Sequence, residues 1–351
     1  MQAITSRTYG EPSVIHIEEL PAPVPKSQEI LVRNHATVVS GAESTARSGE
    51  DFFARLYFGL TRPRFPILGT SFAGEVHAVG SAVTKYRVGD QVMGSLGPTL
   101  GAHAQYVTTP QDGIVAVKPA CLSWTDAVAN LDGALTALPF LRDAADLKAG
   151  QSILINGASG AVGTAAVQLA KHFGAIVTAV CSTANLDLVR SLGADHVIDY
   201  TAEDFTEAGQ EYDVVFDAVG KSSYTRCRKL LKPAGIYLTT VPSIPILMWT
   251  PWTALFGKTK AGIMFTGLRK PAAMASDVKF MGNLAAAGHY LPVIDQTYSL
   301  TEAASAHARV ETGHKKGSVV ISLTAPGEQP APVAAAEVLP AAPTASGTHT
   351  I

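Results

Sequence analysis

The stretch from residue 151 to residue 181 constrains the fold of this chain more than any other. It opens with an apolar strand, Gln151-Ser152-Ile153-Leu154-Ile155, and turns through glycines between Asn156 and Gly163. A helix follows over 164–173, stopped by Gly174, and then a second strand over 175–181. Strand, tight turn, helix and strand in that order form a crossover unit, which sets the two strands parallel with the helix on one face of the sheet. The alternation continues with a helix over 185–192 ending at Gly193 and strands at 196–200, Tyr212–Asp217 and 235–239. A helix over 274–287 and a last strand over 319–322 close the pattern. Upstream, to about residue 120, short strands at 30–32, 74–76, 91–93 and 104–107 are separated by turns such as Val88-Gly89-Asp90. The expected fold class is therefore α/β, a doubly wound parallel sheet preceded by a β-rich domain.

Inside the constraining stretch, Ala158-Ser159-Gly160-Ala161-Val162-Gly163 is G-x-G-x-x-G with alanine in the first place. A strand before it and a helix after it are the context a dinucleotide needs: bare backbone approaches the pyrophosphate while the helix amino terminus offers amide donors. The competing reading is a glycine-rich turn that only packs helix on strand. A carboxylate at the end of the second strand would hold the ribose hydroxyls of NAD. Here that strand ends in Cys181-Ser182-Thr183. Without the acid a 2′-phosphate is not repelled, Ser182 and Thr183 offer hydroxyl donors, and NADPH is the expected cofactor. Ala184 and Asn185 follow with no cation, so the phosphate needs one from elsewhere. Lys316, or its neighbour Lys315, is the candidate, against the alternative of a solvated charge run.

At 351 residues, and at roughly 100–200 residues per domain, two domains with a cleft between them are expected. A formal charge of −2 with no block of like charge gives no attraction to nucleic acid or to an anionic membrane. Cys121, Cys181 and Cys227 have neither disulfide-framework nor Cys-x-x-Cys spacing, and the amino terminus lacks a signal-peptide layout, so a cytoplasmic setting is expected. In the apolar stretch 238–257, Pro242, Pro245 and Pro251 would break a spanning helix. It reads as a buried strand followed by a segment that covers the cleft or forms an interface. Residues 325–351 lose all periodicity and read as a flexible Ala/Pro-rich tail.

With these motifs the chain resembles the medium-chain dehydrogenase/reductase superfamily, in its zinc-independent quinone oxidoreductase and enone reductase branch. The resemblance runs through Phe65-Pro66-Ile67-Leu68-Gly69, Ala73-Gly74-Glu75-Val76, the glycine turn, Ser191-Leu192-Gly193-Ala194-Asp195, Val215-Phe216-Asp217-Ala218-Val219-Gly220 and Gly313-His314-Lys315-Lys316-Gly317. It implies a GroES-like β domain made of 1–123 and 295–324, a Rossmann domain over 124–294 that binds NADPH, and a homodimer. It also implies that Tyr200, Val219, Thr240 and Val241 lie along the cofactor, the last three near its nicotinamide.

Zinc-dependent relatives carry a cysteine where Ser40 stands and a His-Glu pair where Thr70-Ser71 stands, and a zinc site needs about three converging ligands. His35, His77 and His103 are read as isolated, at the surface or locally bonded. Metal-free hydride delivery to an electron-poor carbon is expected, on a small hydrophobic enone or quinone. The branch often has Asn and Asp near the nicotinamide with tyrosines beyond; this chain has Ser40 and Glu43, then Thr45 and Asp51. Tyr57 is the nearest phenol for proton donation, with a packing tyrosine as its alternative. Glu43 either orients a donor or is a solvated carboxylate. Met248, Trp249, Trp252, Leu255 and Phe256 have the bulk to wall a hydrophobic pocket or to form a subunit contact. Three functions stay open: enone reductase, quinone oxidoreductase, and a non-catalytic NADPH-binding sensor or scaffold.

Overall fold

The computed structural model describes residues 1–50, 52–207 and 209–324, with the side chains of 52–54 left aside. Asp51 and the expected tail over 325–351 lie outside the described residues. The amino-terminal part contains β1 (Gln2–Ser6), β2 (Ile15–Glu19), β3 (Glu29–Val39), α1 (Gly41–Ser48), α2 (Phe52–Phe58), β4 (Ser71–Val79), β5 (Gln91–Ser95), β6 (Tyr106–Pro110) and β7 (Ile114–Val117). Two helices, α3 (Trp124–Ala129) and α4 (Ala134–Pro139), lead to β8 (Ser152–Asn156), α5 (Ala161–His172), β9 (Ile176–Cys181), α6 (Leu186–Ser191), β10 (His196–Asp199) and β11 (Tyr212–Asp217). Then come α7 (Tyr224–Cys227), β12 (Leu231–Thr239), α8 (Ile244–Phe256), β13 (Lys260–Ile263), α9 (Pro271–Ala286), β14 (Ile294–Ser299), α10 (Ala303–Glu311) and β15 (Ser318–Ser322).

The second half forms a parallel sheet of order β10-β9-β8-β11-β12-β13. Its inner strands, such as Ser-Ile-Leu-Ile-Asn in β8, are buried along their length because helices cover both faces. The first half forms a second sheet of order β14-β15-β3-β4-β5-β7, with β6 on β3. The chain returns to it at its end: β15 pairs antiparallel with β3, Val319 opposite Val39. One apolar cluster runs through both halves, from Ala36, Val38 and Met93 to Ile153, Val177 and Phe216. The helices α3, on β3 and β15, and α9, on β5 and β7, carry that core across the boundary.

The apolar stretch ends β12 and continues as α8, a helix of 13 residues, with Pro245 in its first turn, where a missing N–H costs nothing, and Pro251 carried inside. The strand β13 at the sheet edge, Lys-Ala-Gly-Ile, was not expected at all. Among the described residues no helix is long and apolar enough to cross a membrane.

Candidate functional site

The glycine turn leaves β8 at Asn156 and enters α5. Gly157 takes φ 77°, and a Cβ there would lie 2.4 Å from the Val219 side chain. The left-handed position is thus Gly157, one place before the motif's expected first glycine, while Ala158 is buried. A Cβ on Gly163 would lie 2.1 Å from the Gly157 carbonyl oxygen, so that glycine serves close packing of helix on strand. Gly160 differs from both. It caps α5 with extended backbone, and a Cβ on it would meet nothing nearer than 3.8 Å. With no side chain capping α5 and no acid in its first turn, the helix amides and dipole face open space at Gly160. That cradle, bare at Gly160, Ala161 and Val162, fits a pyrophosphate.

At the adenosine end, Cys181 closes β9 with a buried thiol that burial pushes up to about 11, so it is chemically quiet. Asn185 donates from Nδ2 to Ser159 Oγ at 3.0 Å and to Ser182 Oγ at 3.1 Å, tying the pyrophosphate turn to the end of β9. Because both hydroxyls accept from Asn185, their own protons point elsewhere. Thr183 does not offer its proton as expected: its Oγ1 donates to Asp199 Oδ2 at 2.5 Å. Asp199 ends β10 directly beside Cys181, and the hydroxyls of Thr183 and Thr201 hold its carboxyl below the usual range. A carboxylate is therefore present after all, supplied by the neighbouring strand. Opposing it, Lys316 Nζ donates to the Ala184 carbonyl at 3.2 Å, while Gly317 N donates to Ser159 O at 2.8 Å. Lys315 turns away, 3.8 Å from Asp132 and bonded to Gly317 O. Tyr200, half exposed, is anchored through its N–H to Cys181 O.

At the other end of the sheet's carboxyl edge, Asp217 is fully buried and organises the loops. It accepts from Asn156 Nδ2 at 3.0 Å, Val219 N at 3.3 Å, Ser222 N at 2.8 Å and Tyr237 OH at 3.1 Å. Thr240 N donates to Asp217 O at 3.2 Å and Thr240 Oγ1 to Ala218 O at 3.1 Å, which brings Val219, Thr240 and Val241 together with both valines exposed. On α8, Trp249 and Ile246 line a cavity with Tyr224, Tyr237, Thr239 and Val241. Met248, Trp252, Leu255 and Phe256 are exposed on the outer face.

In the β domain, Glu43 is neither solvated nor free. Fully buried, it accepts Ser40 N at 2.6 Å on Oε2, and Thr70 N at 2.7 Å and Thr70 Oγ1 at 2.9 Å on Oε1. This binds the start of α1, capped at Ser40, to the loop entering β4. Burial, aided by Asp132, pushes the Glu43 carboxyl up to about 7. Tyr57 stands on the last turn of α2, with its hydroxyl on Pro98 O at 3.4 Å and its ring against Phe58 and Phe65. The histidine reading is also corrected. His103 is fully buried, 4.0 Å from Glu43 and with its ring 5.6 Å from that of buried His307, and His35 is buried against Trp124. Desolvation lowers His103 to about 4, and its Nε2 meets Val38 O at 2.9 Å. Among the described residues no three His, Cys, Asp or Glu side chains converge to hold a metal ion.

Gly157, Asn185, Asp199, Asp217 and Thr70 were missed from the sequence. A signal existed for Asp217, a charge ending the apolar run Tyr-Asp-Val-Val-Phe-Asp. None existed for Asp199, whose place depends on strand register.

Residues 26–119 match a family model described as alcohol dehydrogenase GroES-like domain, and residues 192–321 one described as zinc-binding dehydrogenase. A chloroplast envelope quinone oxidoreductase homolog of Arabidopsis thaliana is 30% identical over 337 residues, covering 92% of this chain and 98% of the relative. An NADPH-dependent alkenal/one oxidoreductase, chloroplastic, of the same organism is 32% identical over 342 residues, covering 92% of this chain and 79% of the relative. The structure of Escherichia coli quinone oxidoreductase complexed with NADPH superposes with a TM-score of 0.79 at 26% identity, covering 92% of this chain and 100% of that one. Glycine cradle, two-sheet architecture and similarity over nearly the whole described chain agree, and the chain belongs to the medium-chain dehydrogenase/reductase superfamily, in its quinone oxidoreductase and enone reductase branch.

Proposed function

We propose that this protein is an NADPH-dependent reductase that adds hydride to the electron-poor carbon of an α,β-unsaturated carbonyl without a metal. One observation carries the cofactor assignment: Lys316 reaches across to Ala184 beside Ser182, giving a cation at the end of β9 to meet a 2′-phosphate. NADPH, when bound, supplies hydride from nicotinamide C4. The protein's residues hold and orient it: Gly160, Ala161, Val162 and Gly163 cradle the pyrophosphate, Ser159 and Ser182 donate toward the phosphates, and Val219 and Val241 offer an apolar surface to the nicotinamide. The position of a zinc ligand set is taken by Ser40 and Thr70-Ser71, which are not such a set.

Quinone reduction is the second reading, supported by the name of the Arabidopsis homolog. A turnover panel of small enones and quinones tests both; oxidation of NADPH by enones is expected, and oxidation by quinones alone would replace the first reading with the second. Stoichiometric zinc in the purified protein would contradict metal-free chemistry. The protein is further proposed to be a homodimer in a reducing compartment. The exposed apolar face of α8 beside the open edge of β13 supports the former, and three free cysteines the latter. Leu255→Glu should shift light-scattering mass from dimer to monomer; an unchanged mass removes that face from the interface.

A further inference from the structure

We propose that Thr70 is the hydroxyl that protonates the reduced substrate, with Glu43 as the buried acid behind it that returns the proton. The proposal rests on the reductase reading above. Its basis is the set of partners around Glu43. Ser40 N and Thr70 N only donate, and His103 Nε2, 4.0 Å away, meets the Val38 carbonyl and so carries a proton. Of these groups Thr70 Oγ1 alone has lone pairs to receive a proton from Glu43, at 2.9 Å. A hydroxyl carries one proton. When Glu43 is a carboxylate, Thr70 spends its proton on it; when Glu43 is a carboxylic acid, Thr70 accepts and its own proton is free to point outward.

Glu43 is fully buried whereas Thr70 is partly exposed, so the hydroxyl is the acid's route out. Thr70 O accepts Leu96 N at 2.7 Å, and the turn Gly97–Thr99 after Leu96 packs on Thr266–Leu268, just beyond the end of β13. The Thr70 loop therefore lies next to the segment that leaves the carboxyl edge of the parallel sheet, the edge at which ligands of such sheets bind. Tyr57, by contrast, directs its hydroxyl to Pro98 O. The charged or titratable groups around Glu43 are Asp132 before α4, His103, His307 on α10 and, beyond His307, Arg47 on α1 itself. Burial holds Glu43 near 7, so both of its protonation states are populated at neutral pH, as a general acid requires.

The step balances. The enone β-carbon gains hydride and its π electrons move to the carbonyl oxygen. The resulting enolate takes the proton from Thr70 Oγ at its α-carbon, Thr70 takes one from Glu43, and Glu43 is left as carboxylate until water reprotonates it. Enone, NADPH and one proton become saturated ketone and NADP⁺.

The test compares wild type, Thr70→Val, Thr70→Ser and Glu43→Gln. Thr70→Val keeps the backbone N–H on Glu43 and should lower kcat on a small enone about 100-fold, the low end for lost general acid catalysis. NADPH affinity by fluorescence quenching should stay within about twofold, since Thr70 holds no part of the phosphate cradle. Thr70→Ser should restore most of the rate. The fall of wild-type kcat above about pH 7 should vanish in Glu43→Gln. In the apoprotein, isotope-edited infrared should show a Glu carboxylic acid band at pH 6 that is lost at pH 8, absent in Glu43→Gln and shifted in Thr70→Val. Wild-type turnover with unimpaired Thr70→Val, or no such band at pH 6, overturns the proposal. A titrating, Thr70-sensitive band with no turnover of enones or quinones upholds the Glu43–Thr70 coupling and overturns the reductase reading instead.

Discussion

The two halves of the molecule build their candidate sites by opposite means. On the Rossmann side, the cradle from Gly157 to Gly163 is backbone: one glycine supplies a left-handed turn, one leaves space, and one lets helix meet strand. On the β-domain side, the site is side chain, with α1 and the loop before β4 tied to one buried carboxylate. A backbone site admits no added atom at its packed glycines, Gly157 and Gly163, and needs no ionisable group. A site hung on a buried acid keeps its shape only with its hydrogen bonds, and its proton affinity moves with its surroundings.

The largest expected effect separates the three glycines. Gly160→Asp places a carboxylate in the open cradle and should weaken NADPH binding at least about 100-fold, close to 3 kcal/mol, with folding intact. Gly163→Ala presses on the Gly157 carbonyl and should instead lower stability by about 1–3 kcal/mol or more. Titration calorimetry and urea unfolding on both variants distinguish these effects; if both lose only stability, the division of roles is wrong.

The next effect belongs to the other site. Glu43 has its carboxyl raised from 4.5 to about 7 in the fold, so the folded state keeps a proton that the unfolded chain releases. Its contribution is full below pH 4.5 and lost as pH rises through about 7, on the order of 3 kcal/mol at 1.4 kcal/mol per pKa unit. His103 is lowered from 6.5 to about 4, so its contribution is present above pH 6.5 and lost as pH falls through about 4. Between about pH 5 and 6.5 the two slopes oppose. His307, lowered in the same direction by burial, adds a second slope of the His103 sign, so urea midpoints of wild type should rise with pH over that range and those of Glu43→Gln should rise more steeply. Parallel profiles would show that Glu43 titrates as an ordinary carboxylate.

The smallest effect lies at the adenosine end, where backbone and side chain meet. Lys316→Ala should weaken NADPH about tenfold, the loss of one exposed charge-assisted contact, and leave NADH unchanged. Asp199→Asn should tighten NADPH a few-fold by removing the opposing carboxylate. Equal losses for both cofactors would remove Lys316 from phosphate recognition.

The same contrast explains what the sequence revealed. Parallel strands such as Tyr212–Asp217 and the glycine turn follow from local patterns, because a buried strand and a tight turn each restrict the residues along one short stretch. Asp199 escaped because its place beside Cys181 is a matter of register between strands 18 residues apart, the rule for the second strand's end being read along one strand only. Glu43, Thr70 and His103 meet from three separate segments, so nothing in their spacing announces a buried polar cluster. The helix α8 and strand β13 were obscured by prolines, one harmless in a first turn, and by a strand of only 4 residues at the edge.

Hydride transfer to carbon is followed best with a label. With NADPH carrying deuterium at nicotinamide C4 and a small enone as acceptor, deuterium should appear at the product's β-carbon in proportion to the NADP⁺ formed. Tight NADPH binding with no deuterium delivered to any enone or quinone would contradict hydride transfer and leave a binding protein in place of a reductase.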